Sequence, residues 1–215
     1  THFDISGVPY YDAYTITMPY YATSLYPGWY LVGNPVNYVV DWDQIVSCPL
    51  FSGLMPIYYT ITPSGWGSYS PGFPAGAGRF IPPYTGFFVA VYPDMTGTLP
   101  FGTNSFIPVM ARANTETSDL SDFTFRFDVF ASEDTSRWNY LGTRSDATDD
   151  FGDKYDAKMP PNPIGRNSIV HFIIDGDIAI RDIRRTLETG ESKVWTFAID
   201  NLTAGEEITI HWNND

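Results

Sequence analysis

The chain has 215 residues, a formal net charge of −13 and one cysteine, Cys48. That length suffices for a real core, burying roughly 70% of the unfolded surface. Twelve scattered Lys and Arg residues exclude a phosphate-tracking nucleic-acid surface and disfavour an anionic membrane surface, and a lone thiol excludes an internal disulfide framework and a Cys-built metal site.

In chain order, β-branched and aromatic residues alternate between Gly, Pro, Asn and Asp, which predicts strands at 14–18 (YTITM), 28–33 (GWYLVG) and 58–62 (YYTIT). The stretch VVDWD, ending at Asp43, is read as a further strand, with Trp42 turned into the core between two capping acids. Residues 62–84, TPSGWGSYSPGFPAGAGRFIPPY, are read as a loop too long to be a mere connector. Strands are again expected at 86–92, 106–112, 123–131, 168–174, 193–199 and 206–212. The pattern is clearest in FTFRFDVFA (123–131): Phe123, Phe125, Phe127 and Val129 share one face, and Thr124, Arg126 and Asp128 the other. That is a half-buried antiparallel strand. Only DIAIRDIRRTLETG (177–190) has a helical period, and it reads equally as a strand carrying Ile178, Ile180 and Ile183.

So many strands without intervening helices predict an all-β fold, an antiparallel β-sandwich of jelly-roll-like kind, as one sandwich or two packed sub-sandwiches. Charge is uneven: residues 1–110 hold only Asp4, Asp12, Asp41, Asp43, Arg79 and Asp94. The reading favours one module over 1–215, with a sub-boundary near 111–122 left open. Abundant aromatics and little Lys, Cys or Glu suit a secreted or surface-displayed protein. The start THFDISG has neither a basic nor an apolar leader region, so a piece cut from a longer precursor is expected. Pro, Gly and Tyr break the apolar runs, so no membrane insertion is expected.

GWYLVGNPVNYVVDWD (28–43) resembles the GWNLVGNPYPSAIDW pattern of modules in large secreted and surface multidomain proteins of Bacteroidetes and related anaerobic bacteria. FIPPYTGFFV (80–89), SDATDDFGDKYDAKMPP (145–161) and VWTFAIDNLTAGEEITIHWNN (194–214) resemble later elements of the same modules, in order. The resemblance covers about residues 25–214 and implies a non-catalytic β-rich module with glycan-binding or adhesive roles, attached to other domains of a parent protein. Val36-Asn37 stand where those modules usually carry Tyr-Pro.

Asp41 and Asp43 would share a strand face roughly 7 Å apart, a spacing compatible with paired carboxylate catalysis. Their second partner is expected among Glu116, Glu133, Glu188, Glu191, Glu206 and Glu207, all in polar loops or strand ends. A strand terminus whose aspartates cap backbone N–H groups is the favoured reading. No G-x-S-x-G, H-E-x-x-H, P-loop or G-x-G-x-x-G is present, and His2, His171 and His211 are far apart in sequence. No catalytic residue is assigned. The acidic stretch DATDDFGDKYD places Asp146, Asp149, Asp150, Asp153 and Asp156 within eleven residues; such oxygen ligands suit a structural Ca²⁺, and the alternative is a solvated turn paired with Lys154 and Lys158. Flat aromatics stack on sugar C–H faces, and Trp66, Tyr69 and Tyr84, with Tyr20 and Tyr21, are the ligand-binding candidates. The function expected is carbohydrate binding to a polysaccharide or cell-surface glycan. The alternatives are a structural or adhesive stalk domain, and a glycoside hydrolase using Asp41 or Asp43.

Overall fold

A computed structural model describes residues 14–34, 39–62, 65–101, 122–131, 135–161, 170–200 and 202–214. The expected strand at 106–112, most of the sub-boundary at 111–122 and Val36-Asn37 lie outside these residues. The first strands are β1 (Tyr14–Pro19), β2 (Trp29–Gly33) and β3 (Val40–Asp41), followed by the short helix α1 (Trp42–Val46). Next come β4 (Leu54–Thr62), β5 (Gly65–Ser70), β6 (Phe73–Ala75), β7 (Phe80–Ile81), β8 (Gly86–Val91) and β9 (Thr96–Phe101). The remainder comprises β10 (Phe123–Phe130), β11 (Thr135–Arg144), β12 (Ala157–Lys158), β13 (Val170–Ile174), β14 (Asp177–Arg185), β15 (Phe197–Ile199) and β16 (Thr209–Asn214). The protein is all-β, of antiparallel β-sandwich character, as its alternation predicts.

Two compact units divide the chain: Thr1–Leu54 with Arg79–Met110, and Met55–Gly78 with Ala111–Asp215. In the first, β1 pairs antiparallel with β9, β2 with β8 and β3 with β7. Tyr14 and Phe101, opposite each other on β1 and β9, stack with ring centres 4.9 Å apart. Trp42 is fully buried, as expected, but on α1 and not on a strand. The Asp41 carboxylate accepts the Asp43 N–H at 3.1 Å and starts a helical turn, which puts Trp42 and Ile45, three apart, on one buried face. Phe51 and Phe87 meet the Trp42 ring edge-on. Pro49 disfavours helical geometry at Cys48, and the helix has ended by then.

In the second unit β4, β5 and β6 form an antiparallel ladder in which Tyr58 lies opposite Tyr69 and Ser68 opposite Ala75. The 62–84 loop expected from its Gly and Pro content is therefore mostly strand: Gly67, Gly72 and Gly76 serve a hairpin and close packing. The larger sheet runs β15-β13-β14-β11-β10-β16, with β12 beside β14. All its pairs are antiparallel except β11 with β14. Residues 177–190 choose the strand reading, because Asp175-Gly176, both at positive φ, close a two-residue hairpin between Ile174 and Asp177. Phe127, Val129, Val170, Phe172, Ile174 and Ala179 form the core under this sheet. The strand expected at 193–199 shortens to Phe197–Ile199, while β9 and β11 were not foreseen. Arg181 is buried against Phe73, with its guanidinium carbon 4.4 Å from the ring centre. Its Nε–H donates to the Tyr155 carbonyl and its Nη2 to Ser70 Oγ at 2.9 Å. Burial pulls this guanidinium down to about 10, so it stays charged at neutral pH.

Candidate functional site

The most informative surface lies where β10 meets the sheet's last strand, β16. Phe125, Phe127 and Val129 turn inward along β10, so Arg126 and Asp128 are left on the opposite face. Opposite them β11 carries a bulge, because the register jumps from Phe127↔Asn139 to Val129↔Ser136. An extra residue there re-aims its neighbours. Trp138 adopts φ 62, a region that costs a bulky residue about 1–3 kcal/mol and marks functional constraint more often than chance. Three contacts hold it. Its N–H donates to Asp128 Oδ1 at 3.0 Å, its ring lies 3.9 Å from the Arg126 guanidinium carbon, and its indole crosses the backbone of Gly76, where an added Cβ would come within 2.9 Å of Nε1. Arg126 Nη2 completes the group by donating to Asp128 Oδ2 at 2.8 Å.

This braced pair opens into a pocket of about 160 Å³ lined by Arg126, Phe127, Asp128, His211 and Trp212. On β16, His211 lies opposite Asp128 and Trp212 opposite Phe127. Because β16 is an edge strand, Trp212 stays 62% exposed. His211 is also exposed, and its ring lies 5.1 Å from that of Phe130. An imidazole, a guanidinium and a carboxylate thus border a small cavity on the outer face, whereas Trp212, opposite the inward-facing Phe127, carries its indole on the other face of the sheet edge. The arrangement offers one stacking face together with hydrogen-bond donors and acceptors fixed in place.

The aromatics singled out from sequence fare unevenly. Tyr69 is 5% exposed because its position on β5 packs it against Tyr58, with ring centres 6.2 Å apart; as an open platform it is corrected. Trp66 is half-buried on the same strand. Tyr20 is half-buried in the first unit, where Tyr21 and Tyr84 are 60% and 68% exposed. Tyr84 holds φ 56 in the turn before β8.

The acidic residues do not converge on a common point. Asp146 accepts the Lys154 ammonium at 2.8 Å and the Tyr155 hydroxyl at 2.6 Å. Burial pushes its carboxyl up, but these hydrogen bonds outweigh that and hold it below the usual range. Asp149 pairs with Lys193 and with Arg185, the latter at 2.8 Å. Asp150 faces solvent. Asp153 accepts the Thr148 and Tyr155 N–H groups, each at 2.7 Å. Asp156 is 3% exposed, accepts from Gly152 N–H at 3.1 Å and Ile183 N–H at 3.3 Å, and has its carboxyl raised to about 7 by burial and then by the Asp153 charge. Among the described residues no group of three or more His, Cys, Asp or Glu is arranged to hold a metal ion. The donors already present fit a loop braced by cations and backbone.

Asp41 and Asp43 are likewise clamped. Arg79 donates from Nε and Nη2 to the two Asp41 oxygens at 2.7 Å each, and its Nε lies 3.1 Å from Asp43. With the Asp43 N–H also capped, the pair closes the β3–α1 corner, as the capping reading expects. His171 is buried on β13, its Nδ1 3.1 Å from Asp200.

The pocket itself is not legible in the sequence, although the alternation of β10 sets Arg126 and Asp128 on the outer face. The missing information was the pairing of β10 with β16, some eighty residues later in the chain, and the bulge at Trp138. No protein-family model matches this chain, and searches of curated proteins and of solved structures find no match either.

Proposed function

We propose that this chain is a non-catalytic carbohydrate-binding module of an exported bacterial protein, and that it takes its glycan at the β10–β16 pocket. The observation that carries the reading is the exposed His211 ring set across from an Arg126–Asp128 pair that a strained, bulged Trp138 holds rigid. Rigid polar groups next to a flat ring suit a sugar, which presents C–H faces above and below and hydroxyls around its rim. A non-catalytic role is supported by Asp128 being the single carboxylate lining the pocket among the described residues, since glycoside cleavage ordinarily uses two. Its support also includes the Arg79 clamp on Asp41 and Asp43. The resemblance of residues 28–43 and 145–161 to modules of exported proteins points the same way.

A glycan array probed with the wild-type chain and with His211→Ala tests it. The wild type should retain a defined set of glycans and the variant should lose them. Silence of the wild type across plant, microbial and host glycans would favour a structural stalk domain. Turnover of a glycoside, abolished by Asp128→Asn, would overturn the non-catalytic reading.

A further inference from the structure

Resting on that glycan-binding reading, we propose that the pocket accepts a single neutral pyranose residue, gripped through two adjacent hydroxyls by Asp128 and Arg126. Size argues for one residue. Clefts for drug-sized ligands start near 300 Å³, and this pocket holds about 160 Å³. Charge argues for a neutral sugar. The Arg126 guanidinium is compensated by Asp128 at 2.8 Å and by the Trp138 ring at 3.9 Å, so an incoming carboxylate would meet Asp128 without a free cation to offset it. His211, across the strand pair, is the other titratable group facing the pocket.

Hydrogen-bonding capacity argues for adjacent hydroxyls. Asp128 spends one acceptor site per oxygen, on the Trp138 N–H and on Arg126 Nη2, and each carboxylate oxygen has two such sites. Arg126 spends one N–H on Asp128 out of five. An unspent acceptor therefore sits beside unspent donors, both fixed. A hydroxyl donates one hydrogen bond and accepts others, so two neighbouring hydroxyls can donate to Asp128 and accept from Arg126 together. The His211 ring, opposite Asp128 on the same face, flanks the bound sugar.

The test is calorimetric or saturation-transfer titration of the wild-type chain with methyl glycosides of glucose, mannose and galactose. The glycoside that binds is then compared with its oligosaccharides, its uronic acid and its deoxy analogues. Expected is an affinity that changes less than about threefold from one sugar unit to six, and a loss of about tenfold or more, 1.4 kcal/mol, for the uronic acid and for removal of either of two adjacent hydroxyls. Affinity that climbs steadily with chain length, or a preference for the uronic acid, would overturn the single-neutral-residue inference while leaving glycan binding intact. Absence of binding to every glycoside and oligosaccharide would overturn both. Because the series uses the native chain, no outcome depends on a variant's folding.

Discussion

Replacing Asp156 with Asn should change how stability depends on pH, and the structure sets the size of the change. The carboxyl is buried, faces Asp153 and Asp182, and its affinity for a proton is raised to about 7 from an ordinary 3.8. Two backbone N–H groups, of Gly152 and Ile183, oppose the rise without cancelling it. A folded state that binds the proton more tightly than the unfolded chain gains stability at low pH. For Asp156 that contribution is complete below pH 3.8, shrinks as pH rises, and is gone above about pH 7. At about 1.4 kcal/mol per pH unit, the wild type should lose roughly 2.5 kcal/mol from this group between pH 5 and pH 8. Asp156→Asn cannot titrate. It also alters the bonds to Gly152 and Ile183, but that cost is independent of pH and cancels when the two pH values are compared. Urea denaturation of both proteins at both pH values gives the quantity wanted: the stability difference between them should move by about 2–3 kcal/mol in favour of the variant on going from pH 5 to pH 8. Parallel behaviour of the two proteins would refute the claim that Asp156 is buried and uncompensated.

Other consequences follow from contacts already described. Trp42→Ala empties a fully buried site ringed by Phe51 and Phe87 and should cost about 3–5 kcal/mol in urea denaturation. Arg79→Lys replaces a two-pronged grip on the buried Asp41 with a point charge and should lower stability by about 1.5–3 kcal/mol; an unchanged midpoint would mean the clamp is idle. Gly76→Ala asks for a side chain at φ 77 within 2.9 Å of the Trp138 indole. It should lower the melting temperature and weaken glycan binding together, whereas loss of one without the other would uncouple Gly76 from the pocket. EDTA should leave the melting temperature unchanged, because Lys154, Lys193, Arg185 and backbone N–H groups already engage Asp146, Asp149 and Asp153; a fall reversed by Ca²⁺ would assign those aspartates to a metal instead.

Local pattern determined what was legible. FTFRFDVF announces β10 because alternate Phe and Val residues have one face to bury, and the burial of Trp42 between two acids was readable for the same reason. What Trp42 sits on was not, since the Asp41 side chain that converts a strand end into a helical turn is also clamped by Arg79, thirty-eight residues away. The stretch 62–84 looked like loop because Gly and Pro weaken isolated strands. In the fold those glycines instead permit contact: a Cβ at Gly67 would come within 2.8 Å of the Gly76 backbone. Tyr69 is buried by the same ladder. The acidic stretch showed its charges but not its partners, as Lys193 and Arg185 come from beyond β13. The pocket was the least visible feature, since it needs one outer face of β10, a bulge on β11 and an edge strand near the end of the chain.

The most direct measurement is binding of the array-selected glycan to the wild type, to His211→Ala and to Tyr84→Ala, titrated under one set of conditions. His211→Ala should weaken binding by about tenfold or more, while Tyr84→Ala, in the other unit, should leave it unchanged. Full affinity in His211→Ala, with loss in Tyr84→Ala, would contradict binding at the β10–β16 pocket and move the binding surface to the first unit.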